Sequence, residues 1–404
     1  MDGCEIKPAT DCEAMVLNFV GGLADENLAG ANFHKATLSG AYIERTVLTR
    51  VNFTEAVLDD VNILYGTAAG ANFSGSGSTN IYFGSTSLRR ALLNGATFGQ
   101  SKFYRVDGTG ADLTDAEMPG IVIAANSASI YDRDRRSTWN QANFTRAILT
   151  GAKIDDADLR GATFIDADLS RSTLRWISAD RADLTQANLS FATIHEAELP
   201  GADLSLGLMV DSVITSSNLS GAEVSGLVIQ DSIVRGTFLH RAQGDMRITA
   251  SDMSGAPPSG EVGFHPNSAA NASLRGSAFV DSDMRGVNFT GADLRNVDFT
   301  GSNIRGAIFD GADMRGVTLP DSALGARPGF GCDADTRWSG AYQDRFRSYC
   351  RGKGDRVKPG WCSAYYEKTP ALCALCGRIC VEGRSSGATP IDVPTPCDLR
   401  AIRP

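Results

Sequence analysis

Large side chains are scarce in this sequence. Aromatic residues make up 8% of 404 positions, too few to fill a wide globular core. No apolar run reaches the roughly 18 residues needed to span a bilayer. Met15–Val20 is too short for a secretory signal core and has no basic start, so the expectation is that any targeting segment lies outside this chain. Histidine occurs four times, at His34, His195, His240 and His265, and no phosphate loop, nucleophile elbow or H-E-x-x-H pattern is present. His195-Glu196 falls in ordinary outward slots. Asp155, Asp156 and Asp158 look like a Ca²⁺ site only superficially. The expectation is no catalytic residue, no cofactor and no metal.

Two further shortages divide the chain. Cysteine is absent from the 319 positions between Cys12 and Cys332, yet seven cysteines follow. Negative charge is also unevenly spread. The whole chain is −9, with 38 basic and 47 acidic residues, whereas residues 325–404 carry 13 basic against 8 acidic. The first 324 residues read as one kind of protein and the basic, cysteine-rich tail as another.

What is present in abundance is a period of five. From Leu28 to Ile123 every fifth residue is Leu, Ile, Phe or Met in 17 of 20 cases, the exceptions being Ala68, Ser78 and Gly108. From Trp139 to Leu239 the centre is large and apolar in 20 of 21 cases, failing only at Ala179, and from Leu274 to Leu324 in 11 of 11. A small residue sits two positions before each centre, as in Ala31-Asn32-Phe33 and Ala292-Asp293-Leu294. Small and large residues two apart face the same way on an extended segment. The following Ser, Thr, Gly, Arg or Asp residues suit a corner. Four such sides close a coil of about 20 residues, and about 13 coils stack at the ordinary strand spacing of ~4.8 Å. Each coil buries its interior only against its neighbours, so the ends need caps.

The motif A-(D/N)-L/F followed by two turn residues resembles that of the pentapeptide-repeat proteins, over about three quarters of the chain. The resemblance implies an all-β fold, a right-handed quadrilateral parallel β-helix. On this reading residues 1–22 form an N-terminal cap and 23–324 the β-helix. Residues 325–404 form a small disulfide-rich module with some helix.

The phase breaks twice. Residues 124–138, which include Arg133, Arg135 and Arg136, read as an exposed loop, either a solvated insertion or a partner contact. Residues 242–273, with Pro257-Pro258 and His265-Pro266, read as a longer insertion. A smaller disturbance falls at Gly75–Thr79. In the last run Arg275, Arg285, Arg295, Arg305 and Arg315 recur every ten residues. With 20 residues per coil they stack on two opposite faces. Asp283, Asp293 and Asp313 lie nearby, so the strip is either a neutralised Arg–Asp lattice or a docking strip for an acidic partner. The N-x-S/T matches, such as Asn143 and Asn288, arise from the repeat itself and say nothing of glycosylation.

In the tail, Cys332, Cys350, Cys362, Cys373, Cys376, Cys380 and Cys397 have the density of a disulfide-stapled module. Thr369-Pro370 reads as a helix start that places Cys373, Cys376 and Cys380 on one face. A four-thiolate zinc site at Cys362, Cys373, Cys376 and Cys380 is the rival, and part of an iron–sulfur cluster a third option. Cys4 and Cys12 suit a staple before the first coil. Disulfides are preferred, and with them an oxidising compartment.

For function, the pattern favours a non-catalytic rigid scaffold that docks onto a larger protein assembly. By its resemblance to the lumenal pentapeptide proteins of cyanobacteria and plastids, that assembly would lie in an oxidising lumen, a photosynthetic membrane complex being one candidate. Such a chain would be a monomer within the assembly and would bind no nucleic acid. The alternative is an acidic DNA mimic, as in the quinolone-resistance pentapeptide proteins that occupy the DNA groove of gyrase, a type II topoisomerase. The acidic solenoid suits that reading in sign, whereas the interspersed arginines, the basic tail and the cysteines do not.

Overall fold

The computed structural model describes residues 4–17, 22–125, 136–253, 267–324 and 329–351. They form a four-sided parallel β-solenoid. Along one side runs an eleven-stranded parallel sheet, from Leu23–Ala24 and Tyr42–Glu44 to Val213–Thr215 and Ile233–Arg235. Bridged rungs at Asp252, Asp283 and Asn303 continue it. A second side carries a four-stranded sheet of Leu208–Val210, Val228–Gln230, Arg247–Thr249 and Ala278–Val280. Two-residue strands pair at Gly77–Ser78 with Thr97–Phe98 and at Ser137–Thr138 with Ala157–Asp158, and the other sides are held by single bridged residues.

The five-residue unit explains this geometry. Ala31 and Phe33 are both fully buried, and Asn32 between them points outward and bridges Asn52 one coil on. The ladder runs through the backbone: Asn52 N–H donates to the Ala31 carbonyl at 2.9 Å and Phe33 N–H to the Asn52 carbonyl at 2.7 Å. Each corner then needs a left-handed residue. Lys35, at φ 58°, occupies one such corner and Gly30, at φ 71°, another. A left-handed L-residue costs roughly 1 kcal/mol or more. The corner amides offset that cost by bonding along the stack, as Lys35 N–H does to the Thr54 carbonyl at 2.9 Å.

One row of corners is closed by buried hydroxyls. The amides of Ser212, Ser232, Ser251 and Ser282 donate to the hydroxyls of Ser232, Ser251, Ser282 and Ser302 respectively, at 3.0, 3.2, 3.4 and 2.8 Å. These serines occupy the small inward slot of the repeat, where a buried polar group requires a partner.

The interior is a column of stacked side chains. Phe33, Phe53 and Phe73 stack at 5.3 and 4.9 Å, and Phe289 lies parallel to Phe309 at 5.4 Å. The irregular centres have compensations. At Gly108 a side chain would run into the Trp139 ring of the next coil, so the tryptophan fills the place of the missing centre. Ser78 pairs with Phe98 and gives its hydroxyl to the Leu58 carbonyl. Beyond Phe164, up to Leu219, there is no such aromatic filling, and a slot of about 20 Å³ remains, lined only by apolar side chains.

Both breaks are narrower than the sequence suggests. Ile123 pairs with Ile154 rather than with a residue twenty later, and both flanks keep register up to Ala124 and from Ser137. In the second, Arg247–Thr249 is a ladder strand, and Ile229 pairs with Ile248 because the coil is one residue short at Gly244. Asn267, fully buried, re-enters the stack. It accepts the Thr237 amide at 2.8 Å and donates to the Val234 and Met253 carbonyls at 2.5 and 2.6 Å.

Both ends of the described solenoid are closed. At the start Asp11 and Val16 already bridge Asn32 and Thr37, and Cys4 is joined to Cys12. At the other end Gly331 and Arg337 bridge Ile308 and Asp313. The compact unit containing the solenoid runs to Asp355, beyond the boundary expected at residue 325. Helix Ala341–Arg351 brings Phe346 against Trp338 and Phe330, at 4.8 and 5.4 Å, and Phe330 against Phe309 at 5.4 Å. Cys332 and Cys350, with Cα atoms 5.2 Å apart, join the helix to the chain before it. This aromatic plug covers the last Phe of the column. Cys362, Cys373, Cys376, Cys380, Cys397 and the helix expected after Thr369 lie outside the described residues.

Candidate interaction surfaces

Outward residues flank each centre on either side, so an Asp before it and an Arg after it lie side by side. That geometry decides what the arginine strip is. Arg285 forks onto Asp283 with both contacts of Nε at 2.8 Å. Arg295 binds Asp293 through Nε at 2.7 Å, and Arg315 binds Asp313 at 2.6–2.8 Å. Asp313 also lies 3.9 Å from Arg295. The guanidinium hydrogen bonds hold the Asp293 and Asp313 carboxyls below the usual carboxylate range. Arg275 and Arg305 make no ion pair among the described residues, although Arg275 adds to the field at Asp293. The strip is therefore largely closed on itself.

Of the loop arginines, Arg133 and Arg135 lie outside the described residues. Arg136 sits where the loop returns and is drawn inward onto Asp156 at 2.6 Å and the Ser178 hydroxyl at 3.3 Å. The three aspartates of the same coil separate: Asp155 pairs with Arg175, Asp156 with Arg136 and Asp158 with Arg160. The histidines also stay apart. His34 bonds the Thr54 carbonyl, His195 the Thr215 hydroxyl and Glu196, and His240 the Ser268 hydroxyl. Burial, with Arg241 beside it, pushes the His240 imidazole down. His265 lies outside the described residues. Among the described residues no group of three His, Cys, Asp or Glu is placed to hold a metal, and no helix is long and apolar enough to cross a membrane.

The N-x-S/T triplets have a structural role. Asn143 Oδ1 accepts the Thr145 amide at 3.0 Å and its hydroxyl at 2.6 Å, and Asn288 does the same for Thr290. Asparagine in this slot shapes the corner.

One surface was not singled out by the sequence. On the eleven-stranded face Tyr42, Asn62, Tyr82, Lys102, Val122 and Lys153 form one continuous column, and Glu44, Leu64, Gly84 and Tyr104 the column beside it. Tyr65 occupies the adjoining corner at φ 54°. Tyr42 and Tyr65 are 45% and 56% exposed. Tyr82 and Tyr104 have ring centres 5.6 Å apart. A Cβ on Gly84 would come within 2.7 Å of the Tyr82 ring and of Leu64, so glycine lets the tyrosine lie over the sheet. Burial, together with Tyr104 and Tyr65, pushes the Tyr82 hydroxyl up. The sequence signal was limited to Tyr42 and Tyr82, two coil lengths apart in one column.

Comparison with known proteins agrees with this architecture. The family model for pentapeptide repeats matches in eight copies, over residues 27–75, 86–121, 135–164, 167–205, 269–301 and 282–319. No curated protein matches the sequence. Among solved structures the chain is similar to HetL, a pentapeptide repeat protein involved in heterocyst differentiation regulation in the cyanobacterium Nostoc. The identity is 22%, covering 67% of this chain and 91% of HetL with a TM-score of 0.20. It is similar also to QnrB1, a plasmid-mediated fluoroquinolone resistance protein, at 17% identity over 66% of this chain and 94% of QnrB1, TM-score 0.21. A pentapeptide repeat protein of the Arabidopsis thaliana thylakoid lumen matches at 24% identity over 38% of this chain and 69% of its own length, TM-score 0.14. With the repeat model matched over half of the chain, in segments between residues 27 and 205 and between 269 and 319, this chain belongs to the pentapeptide-repeat family.

Proposed function

We propose that this chain is a non-catalytic scaffold that binds a larger protein assembly through one side of its solenoid, in an oxidising compartment such as a lumen. The observation that carries the reading is the eleven-stranded face. Its register is unbroken across both the 20-residue steps and the longer step at Ile123, so outward side chains form straight ladders on a backbone held by every coil. Such a face offers many weak contacts at fixed spacing, which suits recognition of an extended surface. The cystine bridges Cys4–Cys12 and Cys332–Cys350 support the oxidising setting.

The test is site-specific photo-cross-linking of the full chain in native extract, with the probe placed in turn on each side. A scaffold gives discrete cross-linked partners from one side. No cross-link from any side overturns it. Salt-sensitive inhibition of a type II topoisomerase by the purified chain would replace it with the DNA-mimic alternative.

A further inference from the structure

We infer that the tyrosine patch on the eleven-stranded face is the docking site, and that its occupant is an acidic segment of a partner protein. The inference rests on the scaffold reading and adds to it the place and the partner's chemistry.

The argument starts from charge. At the N-terminal margin of the patch the carboxylates are already engaged. Arg45 clamps Asp25 through two bonds of 2.7 Å and also meets Glu44, while Asn80 donates to Asp60 at 3.0 Å. At the other margin Lys102 is paired in register with Tyr82, and Lys153 lies two rungs further along the same column. Arg105 occupies the corner next to Tyr104 at φ 54°. Among the described residues none of these three cations has a carboxylate in ion-pair range. Asp155, in the neighbouring column, is taken by Arg175 at 2.7–2.9 Å. The local excess is positive on a solenoid whose total is negative.

The second element is the aromatic surface that adjoins those cations on the N-terminal side. Tyrosine and arginine are enriched at protein interfaces, tyrosine because it offers a large contact area with few rotors to immobilise and arginine because its planar fork pairs with carboxylates. Here the rings of Tyr65, Tyr82 and Tyr104 adjoin Leu64. Gly84 lets Tyr82 lie over the sheet instead of standing away from it. Carboxylates reaching Lys102, Arg105 and Lys153 would anchor one end of a segment whose apolar side chains lie over the rings. The arginine strip at the far end of the repeat has only Arg275 and Arg305 outside ion pairs among the described residues, and it lacks the second element. Most of its forks are filled by its own aspartates, and it has no tyrosines beside it.

The experiment is fluorescence anisotropy with the full chain and a short fluorescein-labelled poly-glutamate peptide, at low and at high salt. The wild type should bind, and more weakly as salt rises. Lys102→Glu with Arg105→Glu should weaken binding at least about tenfold. Tyr82→Ala with Tyr104→Ala should weaken it about three- to tenfold. Arg295→Glu with Arg315→Glu should leave it within about twofold. All six positions are at least partly exposed, and unchanged melting of each variant confirms that the coil is intact. The inference is overturned by no binding at about millimolar peptide, by equal binding of the Lys102/Arg105 variant, or by a sulfated oligosaccharide or oligothymidylate displacing the peptide at lower concentration than unlabelled poly-glutamate. Cross-links to partners from another side would sink this site and leave the scaffold reading standing. Peptide binding without any partner cross-link would do the reverse.

Discussion

The coils from Leu274 to Leu319 and those from Leu159 to Ile248 share one backbone and differ in what fills it. In the later coils Phe279, Phe289, Phe299 and Phe309 occupy alternate centres, stack at 5.3–5.4 Å on two columns and touch across the axis at 6.0 Å. In the middle coils Leu, Ile, Val and Met occupy the centres after Phe164, Ala179 takes one of them, and the slot of about 20 Å³ is left. The surfaces differ in parallel. The later coils close their charges in Arg–Asp forks, whereas the middle coils expose Phe191 at 50% and Leu206 at 61%. A five-residue repeat dictates which way a residue points, but volume and charge must be matched coil by coil against neighbours about twenty residues away.

Removing a ring is the strongest way to sharpen that contrast. Phe289→Ala should cost about 3–5 kcal/mol, because Phe309 stacked on it and Phe279 and Phe299 across the axis cannot close the gap. Leu184→Ala, beside the slot, should cost nearer about 2–3 kcal/mol. Native-state hydrogen exchange of the adjoining coils reads both, since stability in a solenoid is local. Equal costs would mean that the two fillings are energetically alike.

The C-terminal plug gives the next largest effect. Cys332→Ser with Cys350→Ser opens a bridge of sequence separation 18. That should destabilise the plug by about 2–4 kcal/mol. Exchange should rise first around Phe330 and Phe309, where Phe330 and Phe346 cover the column. If exchange rises instead near Ile194 in the middle coils, the plug does not protect the aromatic end.

These contrasts also show how far the sequence can be read. The inward slots were legible throughout, since Ala31, Phe33 and their counterparts repeat at five and carry no competing period. The exceptions were not. Gly108 looks like a lost centre until Trp139 is seen to fill it, and the inserted loop places that partner 31 residues away instead of twenty. The helix Ala341–Arg351 left only a short signal, Tyr342 and Phe346 four residues apart with Trp338 four before them, too brief to mark a helix by periodicity. The arginines drew notice because they recur every ten residues. The tyrosines are spread over two columns and a corner, and only the register of the coils assembles them.

Filling the slot tests the middle coils from the opposite direction. Ala179 stands at a position where the other centres of its run are large, and it lines the cavity with Leu184 and Leu199. Ala179→Val should stabilise the chain by about 0.5–1 kcal/mol, as cavity-filling changes commonly do, with a small rise in melting temperature. Destabilisation would show that the neighbouring leucines already use the space when the chain breathes, and the two fillings would then be closer than their geometry suggests.

The smallest effect concerns the closed charges of the later coils. The Arg315 fork holds the Asp313 carboxyl below its ordinary value, as the Arg295 fork does for Asp293. A carboxyl depressed in the folded state contributes stability that is complete above its unfolded value of about 3.9 and is lost as pH falls through the folded value. Asp313→Asn should therefore lower the melting temperature at neutral pH, and the difference from wild type should shrink below about pH 4. Exposure and salt screen such pairs, so the change should be no more than about 1–2 °C. The same substitution frees Arg315, while Arg295 keeps Asp293, and so adds a third unpaired cation to Arg275 and Arg305 on the later coils. If Asp313→Asn then binds poly-glutamate no better than wild type, exposed positive charge alone is insufficient, and the tyrosines are what distinguish the two surfaces.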